Sequence, residues 1–208
     1  MIVFDLDGVI FEHDSFYEQM YDKYDEFAPK KKIIEICDKY LKTDTLKAAE
    51  LVIGKMWAGL SDKGYWEIIE SMKFNPGVEE TIAELKKKGI KIMVLSSAVE
   101  DAVLKAVKIL GIDYYICNKI KTKYGKITGK YEWNVMFNGK GKVLADFCKE
   151  KGIDLKDVTA VGDNENDLSM MEEVGLSIAF NTKSEKLKNE CKVLIEGNDL
   201  RDILRYID

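Results

Sequence analysis

The sequence of 208 residues lacks several features that would define other classes of protein. It has two prolines and no glycine-rich or serine-rich stretch, so nothing in it is typical of a flexible linker between two large independent domains. No apolar run reaches the roughly 20 residues that a membrane-spanning helix needs. The four cysteines, Cys37, Cys117, Cys148 and Cys191, form no CxxC pair. Their spacing therefore excludes common zinc motifs and argues against a disulfide framework.

The charge of the chain is mildly acidic, with 32 basic and 37 acidic side chains and a net charge of −5. Lysines alternate with acidic residues along most segments, which argues against a nucleic-acid partner. The opening MIVFDLDG has two acids where a secretory signal has basic residues and a long apolar stretch. We therefore expect a cytoplasmic protein with no membrane partner. The sequence leaves monomer and homodimer open.

The chain has 46% hydrophobic and 33% charged residues, enough to form a buried core and a charged surface. The spacing of its apolar residues changes in order along the chain. A short apolar segment, Met1–Phe4, predicts a buried strand that ends in a tight loop. From residue 14 to 72, apolar and aromatic residues recur at spacings of three and four, which predicts a small helical bundle whose fourth helix is capped by Ser61. After Pro76, predicted strands and helices alternate.

The predicted strands after Pro76 are Ile90–Leu95, Tyr114–Cys117, Val158–Gly162, Leu176–Phe180 and Lys192–Ile195. The predicted helices there cover about 78–88, 100–110, 141–151, 167–173 and 198–206, with a β-hairpin over 120–131. This alternation predicts an α/β fold with a doubly wound, mostly parallel, Rossmann-like sheet and a small all-helical cap inserted after the first strand. We expect a core domain of residues 1–12 and 75–208 and a cap of residues 13–74.

Polar side chains follow three of the predicted strands, at the sheet edge where ligands bind in parallel sheets. Asp5 and Asp7 follow the first strand, Ser96 and Ser97 the second, and Asp163 and Asp167 the strand Val158–Gly162. Any one of these residues is more often a turn former or a helix cap. Four carboxylates together repel unless protons or a cation offset their charge, and Mg²⁺ prefers oxygen ligands beside a phosphate. The sequence therefore predicts a Mg²⁺ site.

A phosphate group would complete this site. The amides of Leu6, Asp7 and Gly8 can form an anion-binding nest, the Ser96 hydroxyl and the following amide of Ser97 can donate, and Lys140 brings a positive charge to a helix start. We expect Asp5 to attack phosphorus and Asp7 to act as the general acid and base.

Four motifs in order resemble the haloacid dehalogenase superfamily of phosphatases: FDLDGVI, VLSSA, GKGKVL and VGDNENDLSM. From Pro76 onward the chain is similar to the phosphoserine phosphatase branch. The resemblance implies that Asp5 is the nucleophile and a metal ligand, that Asp7 binds metal through its carbonyl, and that Asp163 is the third protein ligand. It also implies that Asp167 orients metal-bound water and Lys140, that Ser96 and Lys140 bind phosphate, and that Asn166 contacts substrate or phosphate.

The cap of that branch supplies an acid for the substrate ammonium and an arginine for its carboxylate. The acid has candidates in Glu12 and Asp14, but the two arginines of the chain, Arg201 and Arg205, are at its far end. Lys47 or Lys55 would provide only a point charge. The resemblance therefore implies a phosphomonoesterase for a small phosphorylated metabolite, with phosphoserine as one candidate. A phosphotransferase or phosphomutase of the same fold and a phospho-accepting signalling module remain alternatives.

Overall fold

The computed structural model describes residues 1–12 and 15–207, and its centre is a seven-stranded sheet. The strands are β1 Ile2–Phe4, β2 Ile92–Val99, β3 Tyr114–Lys123, β4 Lys126–Glu132, β5 Thr159–Gly162, β6 Leu176–Phe180 and β7 Val193–Ile195. They lie in the order β4-β3-β2-β1-β5-β6-β7, and the pairings between them are parallel except for β3 with β4. The predicted mostly parallel α/β sheet is confirmed.

Helices cover both faces of the sheet. They are α1 Phe16–Lys23, α2 Lys30–Tyr40, α3 Thr45–Leu51, α4 Lys63–Ser71, α5 Val78–Lys87, α6 Glu100–Leu110, α7 Lys140–Lys151, α8 Leu168–Met171 and α9 Glu185–Glu190. A π-helical turn, Val52–Met56, follows α3, and short 3₁₀ segments cover Leu155–Asp157, Glu165–Asp167 and Leu200–Tyr206. Helices α1 to α4 lie in the chain between β1 and α5, where the helical insertion was predicted. Among the described residues, no helix is long and apolar enough to span a bilayer.

The sheet separates two apolar clusters, which explains why its central strands are apolar at successive positions. On β1, Ile2 and Phe4 belong to the larger cluster, which also contains buried side chains of α1, α5 and α6. Val3 points to the other face and belongs to the cluster with Leu144 and Cys148 of α7. With apolar partners on both faces, β1 is fully buried and holds the residues that follow it in a fixed position.

The predicted hairpin forms at the edge of the sheet, and it also contacts the inserted helical segment. Its two-residue turn has Tyr124 at φ 53° and Gly125 at φ 74°, the left-handed pair that a tight hairpin requires. The amide of Gly59 donates to the carbonyl of Ile127 over 2.7 Å, and the amide of Ile127 donates to the carbonyl of Leu60 over 2.9 Å. The hairpin therefore joins the segment after the π-helical turn to the sheet.

Several predicted boundaries were wrong. Strand β2 runs on to Val99, whereas the prediction ended it at Leu95, because the backbone stays extended after its regular pairing with β3 is interrupted between Leu95 and Val99. The helix predicted at 167–173 is a 3₁₀ turn followed by the four residues of α8.

At the other boundaries the differences are smaller. Helix α7 begins at Lys140, one residue before its predicted start. Helix α4 begins at Lys63 with Asp62 as its N-cap residue, although the hydroxyl oxygen of Ser61 accepts from the Lys63 amide over 3.3 Å. The last predicted helix is a 3₁₀ segment capped by Asp199 instead of Asn198, and α9 was not predicted.

Candidate active site

The loop after β1 holds Asp5 at the carboxyl edge of the central strands. The Asp5 carboxylate is buried, and its Oδ1 accepts from the Leu6 amide over 2.7 Å and lies 2.8 Å from Lys140 Nζ. These two donors fix the orientation of the carboxylate. The Leu6 amide, one of the three predicted phosphate donors, is therefore bonded to Asp5 in this structure.

Asp7 lies two residues further along the same loop, and it lines a cavity together with Asp5. Its Oδ2 accepts from the amide of Phe16, the first residue of α1, over 2.8 Å. A carboxylate near the start of a helix is favoured by the exposed amides there. The hydrogen bond joins the loop of Asp5 to Gly8, the acid loop, to helix α1.

Gly8 is required by both the conformation and the packing of this loop. Its φ of +76° lies in the left-handed region, and a Cβ atom at this position would overlap Asp163 Oδ2. Only glycine combines this backbone with such a close approach. The third residue of the predicted nest therefore brings the loops after β1 and β5 into contact.

Ser96 and Ser97 reach the same cavity from the end part of β2. Ser96 is buried, and its hydroxyl oxygen accepts from the Ala98 amide over 3.2 Å. The Ser97 carbonyl accepts from Tyr17 Oη over 3.3 Å and from Asn118 Nδ2 over 2.9 Å. The hydroxyl oxygen of Ser96 is thus fixed by the Ala98 amide, while Ser97 is fixed through its backbone carbonyl.

Lys140, the first residue of α7, is completely buried between two carboxylates. Its Nζ lies 2.6 Å from Asp167 Oδ1 and 2.8 Å from Asp5 Oδ1. Burial alone lowers the pKa of the Lys140 ammonium, but the charges of Asp167 and Asp5 and their hydrogen bonds outweigh it and raise the pKa above its ordinary value. Lys140 is therefore a permanent positive charge at this site.

Asp167 organises the loop after β5. Its Oδ2 accepts from the amides of Asp163 and Asn164 over 3.0 and 3.1 Å, while its Oδ1 is bonded to Lys140. Both of its oxygen atoms thus already have donors. Asp167 therefore holds Lys140 and the Asp163 backbone in place, and its oxygen atoms are less available to a metal ion.

Three of the predicted metal-binding acids lie together. Asp5, Asp163 and Asp167 each offer a carboxylate oxygen, and these atoms lie within 4.8 Å of one another. Hard oxygen donors in this number suit Mg²⁺, which usually keeps several waters and uses few carboxylates. The residues present therefore fit a Mg²⁺ ion, with Asp5 and Asp163 as the acids that are best placed to bind it.

Burial and the neighbouring carboxylates favour the protonated forms of two of these acids. Burial raises the pKa of Asp7 to about 7, although the Phe16 amide opposes the shift. Burial also raises the pKa of Asp163 well above its ordinary value, and the nearby charges of Asp167 and Asp5 raise it further. Four acids with one lysine between them favour either protons or a divalent cation.

The cavity that these acids line has a volume of about 650 Å³. Asp5, Asp7, Ser96 and Asp163 line it together with side chains of the inserted helices. Its volume lies within the range of about 300–1,000 Å³ that is common for ligand sites. The predicted catalytic edge therefore opens into a space large enough for an organic substrate.

Of the three residues predicted to contact the substrate, the structure describes two. Asn166 lines the cavity, and its buried Oδ1 has no hydrogen-bond partner among the described residues. Glu12 is exposed and is not among the described residues that line the cavity. Asp14 lies outside the described residues. The roles proposed for all three stay predictions.

Two buried asparagines that the sequence analysis missed hold the site together. Asn75 Nδ2 donates to the carbonyls of Gly8 and Val9, each over 2.9 Å. Asn118 Nδ2 donates to the Ser97 carbonyl, and its Oδ1 accepts from the Val135 amide over 2.8 Å. The sequence did contain a signal for each of them. Asn75 precedes Pro76 and Asn118 directly follows a predicted apolar strand, and an amide buried in such a place needs several hydrogen-bond partners.

The sequence profile of haloacid dehalogenase-like hydrolases matches residues 1–175, and the chain belongs to this family. The match confirms the resemblance that the four motifs indicated. It also assigns the acid loop, Ser96, Lys140 and the Asp163–Asp167 loop to one family domain, since all of them lie within the matched residues.

Among its relatives, the chain is 46% identical to a phosphoserine phosphatase of Methanocaldococcus jannaschii over 132 residues, covering 63% of this chain and 62% of that protein. It is 34% identical to a phosphoserine phosphatase of Wolinella succinogenes over 142 residues, covering 68% of each. The match to the first relative thus spans less than two thirds of its length.

Solved structures extend the similarity over the whole chain. A phosphoserine phosphatase in its apo form has a TM-score of 0.83 and 32% identity, with 100% of this chain and 98% of that chain covered. A phospho-aspartyl intermediate analogue of phosphoserine phosphatase gives the same TM-score, identity and coverage. A substrate-bound phosphoserine phosphatase has a TM-score of 0.81 and 33% identity, with 100% and 97% of the chains covered.

Proposed function

We propose that the protein hydrolyses a small phosphate monoester through an aspartyl-phosphate formed on Asp5, with Mg²⁺ as cofactor. The observation that supports this most directly is the buried Asp5 carboxylate, which is fixed by Lys140 at 2.8 Å and opens into the cavity. The similarity to a phospho-aspartyl intermediate analogue of phosphoserine phosphatase supports the same chemistry.

In the first step, a carboxylate oxygen of Asp5 bonds to phosphorus while the bond from phosphorus to the alcohol oxygen breaks. Asp7 gives its proton to the leaving oxygen, which requires the carboxyl form that burial favours in this loop. Ser96 and Lys140 are the groups proposed to hold the phosphoryl oxygens. When bound, Mg²⁺ supplies positive charge that reduces repulsion between the carboxylate and the phosphate.

In the second step, Asp7 accepts a proton from water as the water oxygen bonds to phosphorus. The bond between phosphorus and Asp5 then breaks, and free phosphate and the original carboxylate are produced. Asp167 keeps Lys140 in place through both steps, since its Oδ1 is 2.6 Å from Lys140 Nζ. We also propose that the inserted segment 13–74, which contains helices α1 to α4, acts as the cap that covers the bound substrate.

The experiment that tests this function measures phosphate release from a panel of monoesters with Mg²⁺ present and after EDTA treatment. We expect turnover only with Mg²⁺, and a loss of at least about a thousandfold in kcat for Asp5→Asn, because the nucleophile is removed. The control is Asp146→Asn, since Asp146 is an exposed acid paired with Lys142. Full activity of Asp5→Asn would contradict the proposal, and transfer of phosphate to an added alcohol would favour the phosphotransferase alternative.

A further inference from the structure

The cavity is larger than a phosphate group requires, and the inserted helical segment gives it a mainly apolar wall. The larger apolar and aromatic side chains of that wall are Tyr17, Tyr21, Ile34, Leu41, Val52 and Ile53. Val52 and Ile53 belong to the π-helical turn, a feature that is frequent at functional sites. Most of the leaving group would therefore contact hydrocarbon and aromatic surface.

Trp133 and Tyr17 are aromatic residues of the cavity that Ser96 also lines. The ring of Trp133, in the segment after β4, lies 6.0 Å from the ring of Tyr17 with an interplanar angle of 42°. The Tyr17 ring is stacked on Trp57 at 6.5 Å, and its hydroxyl donates to the Ser97 carbonyl, one residue from Ser96. These contacts make the two rings a fixed aromatic surface of the cavity.

The charges on the side of the cavity formed by the inserted helices disfavour a carboxylate of the leaving group there. The ionisable residues that line it, within the described part of the chain, are Asp5, Asp7, Glu18, Asp38, Asp163 and Lys183. Glu18 and Asp38 are the charged residues that the inserted helices contribute to this lining. A substrate carboxylate near those helices would face like charges, which lowers its affinity.

The lysines that were candidates for binding a carboxylate have other partners. Lys47 Nζ lies 2.7 Å from Glu50 Oε2, and Lys55 Nζ lies 3.0 Å from Glu50 Oε1. Neither lysine is among the described residues that line the cavity. The point charges that could have replaced a missing arginine therefore lie outside the cavity and are paired.

We propose that the substrate is a phosphate monoester of an alcohol that has an apolar or aromatic body and no carboxylate. This inference rests on the proposed phosphatase function and narrows it to a class of leaving group. The inference argues against phosphoserine as the preferred substrate. Its carboxylate would find no cationic partner among the described residues of the inserted helices that line the cavity. Trp133 and Tyr17 are the residues assigned to recognition of the apolar body.

The test compares kcat/KM for two matched pairs of substrates with Mg²⁺ present. Phosphoethanolamine is O-phosphoserine without its carboxylate, and 2-phenylethyl phosphate is ethyl phosphate with an aromatic body. We expect the first member of each pair to be preferred by about tenfold or more. A smaller preference in either pair, or a preference for phosphoserine, would overturn the inference while leaving the phosphatase function intact.

Substitution of Trp133 tests the residue assignment. We expect Trp133→Ala to lower the ratio of kcat/KM for 2-phenylethyl phosphate over ethyl phosphate by about tenfold, because a large aromatic side chain of the cavity is lost. Trp133→Phe keeps a ring and should retain most of the preference, which provides a readout if the alanine variant folds poorly. Tyr124→Ala is the control, since Tyr124 is 89% exposed in the hairpin turn. An unchanged ratio in folded Trp133→Ala would overturn the assignment.

The two failures are distinguishable. If no monoester of either pair is hydrolysed with Mg²⁺ and Asp5 is not phosphorylated, the proposed function itself is contradicted. If all four are hydrolysed without the two preferences, only the proposed class of leaving group is contradicted.

Discussion

Asn75 shows how one buried side chain fixes the geometry of the acid loop. Its amide nitrogen donates to three carbonyl oxygens, those of Gly8, Val9 and Phe11, over 2.9 to 3.3 Å. These carbonyls belong to the turn that carries the chain from Asp7 to the first inserted helix. The position of Asp5 and Asp7 relative to the Asp163 loop therefore depends on a residue that does not line the cavity.

We expect Asn75→Ala to lower the free energy of unfolding by about 2 kcal/mol, because buried carbonyl groups lose their donor. Turnover should fall as well, since the loop that holds Asp7 is no longer fixed. Chemical denaturation and steady-state kinetics check this, with Asn198→Ala at an exposed position as the control. Equal stability of the Asn75 and Asn198 variants would show that the loop is held by other contacts.

At the scale of elements, the inserted helices are joined to helix α6 by specific hydrogen bonds. Lys105 on α6 donates from Nζ to the carbonyl oxygens of Ile69, Glu70 and Met72 over 2.7 to 2.9 Å. The carbonyls at the end of a helix have no partners within it, so this lysine caps α4 from outside. Tyr65 Oη adds a second connection by donating to Asp101 Oδ2 over 2.6 Å.

We expect Lys105→Met to lower the free energy of unfolding by about 1–2 kcal/mol, because methionine keeps much of the apolar stem but leaves the α4 carbonyls without a donor. Lys108→Met on the exposed side of the same helix is the matched control. Denaturant midpoints of the two variants are compared. If both variants shift the midpoint equally, the cap of α4 does not depend on Lys105.

The elements that the sequence predicted well are those with a strong local pattern. Helix Glu100–Leu110 and strand Leu176–Phe180 agree with their predicted bounds, since both combine a clear apolar period with polar ends. Helix α9 was missed because its six residues bury only Leu187 and so leave no period to detect. Strand β2 was ended too early because Ser96 and Ser97 interrupt its apolar run.

The sequence predicted those residues of the candidate site that belong to the four motifs or follow a predicted strand. Asp5, Ser96 and Asp163 line one cavity, as the strand-end argument predicted. The contribution of Trp133 could not be read from the sequence, because that residue is 116 positions from its ring partner Tyr17, and only the folded hairpin brings them together. The exposed position of Glu12 likewise depends on the path of the loop.

At the scale of the whole molecule, the stability of the metal-free protein depends on pH because acids are buried in the site. The pKa of Asp7 is about 7 in the folded protein against an ordinary value of 3.8, so folding favours the protonated form. The stability that this provides is complete below pH 3.8 and is lost as the pH rises through about 7. Asp163 acts in the same direction, since its pKa is also raised.

We therefore expect Mg²⁺ to raise the melting temperature more at pH 7.5 than at pH 5. At the higher pH the acids are ionised and repel, and a bound cation offsets that charge, whereas protons compete with it at the lower pH. Melting curves of EDTA-treated protein with and without MgCl₂ measure the two shifts. Asp163→Asn should reduce the shift at pH 7.5. Equal shifts at both pH values would argue against a cation site made by these acids.

The most direct test of the central claim is to trap the phosphorylated carboxylate. The protein would be mixed with a hydrolysable monoester and Mg²⁺, quenched in acid and treated with borohydride, which reduces an acyl phosphate to an alcohol. Peptide mass spectrometry should then find residue 5 converted from aspartate to homoserine, in wild-type protein and only with substrate present. Unmodified Asp5 under conditions of steady turnover, or conversion of another acid in its place, would contradict the account.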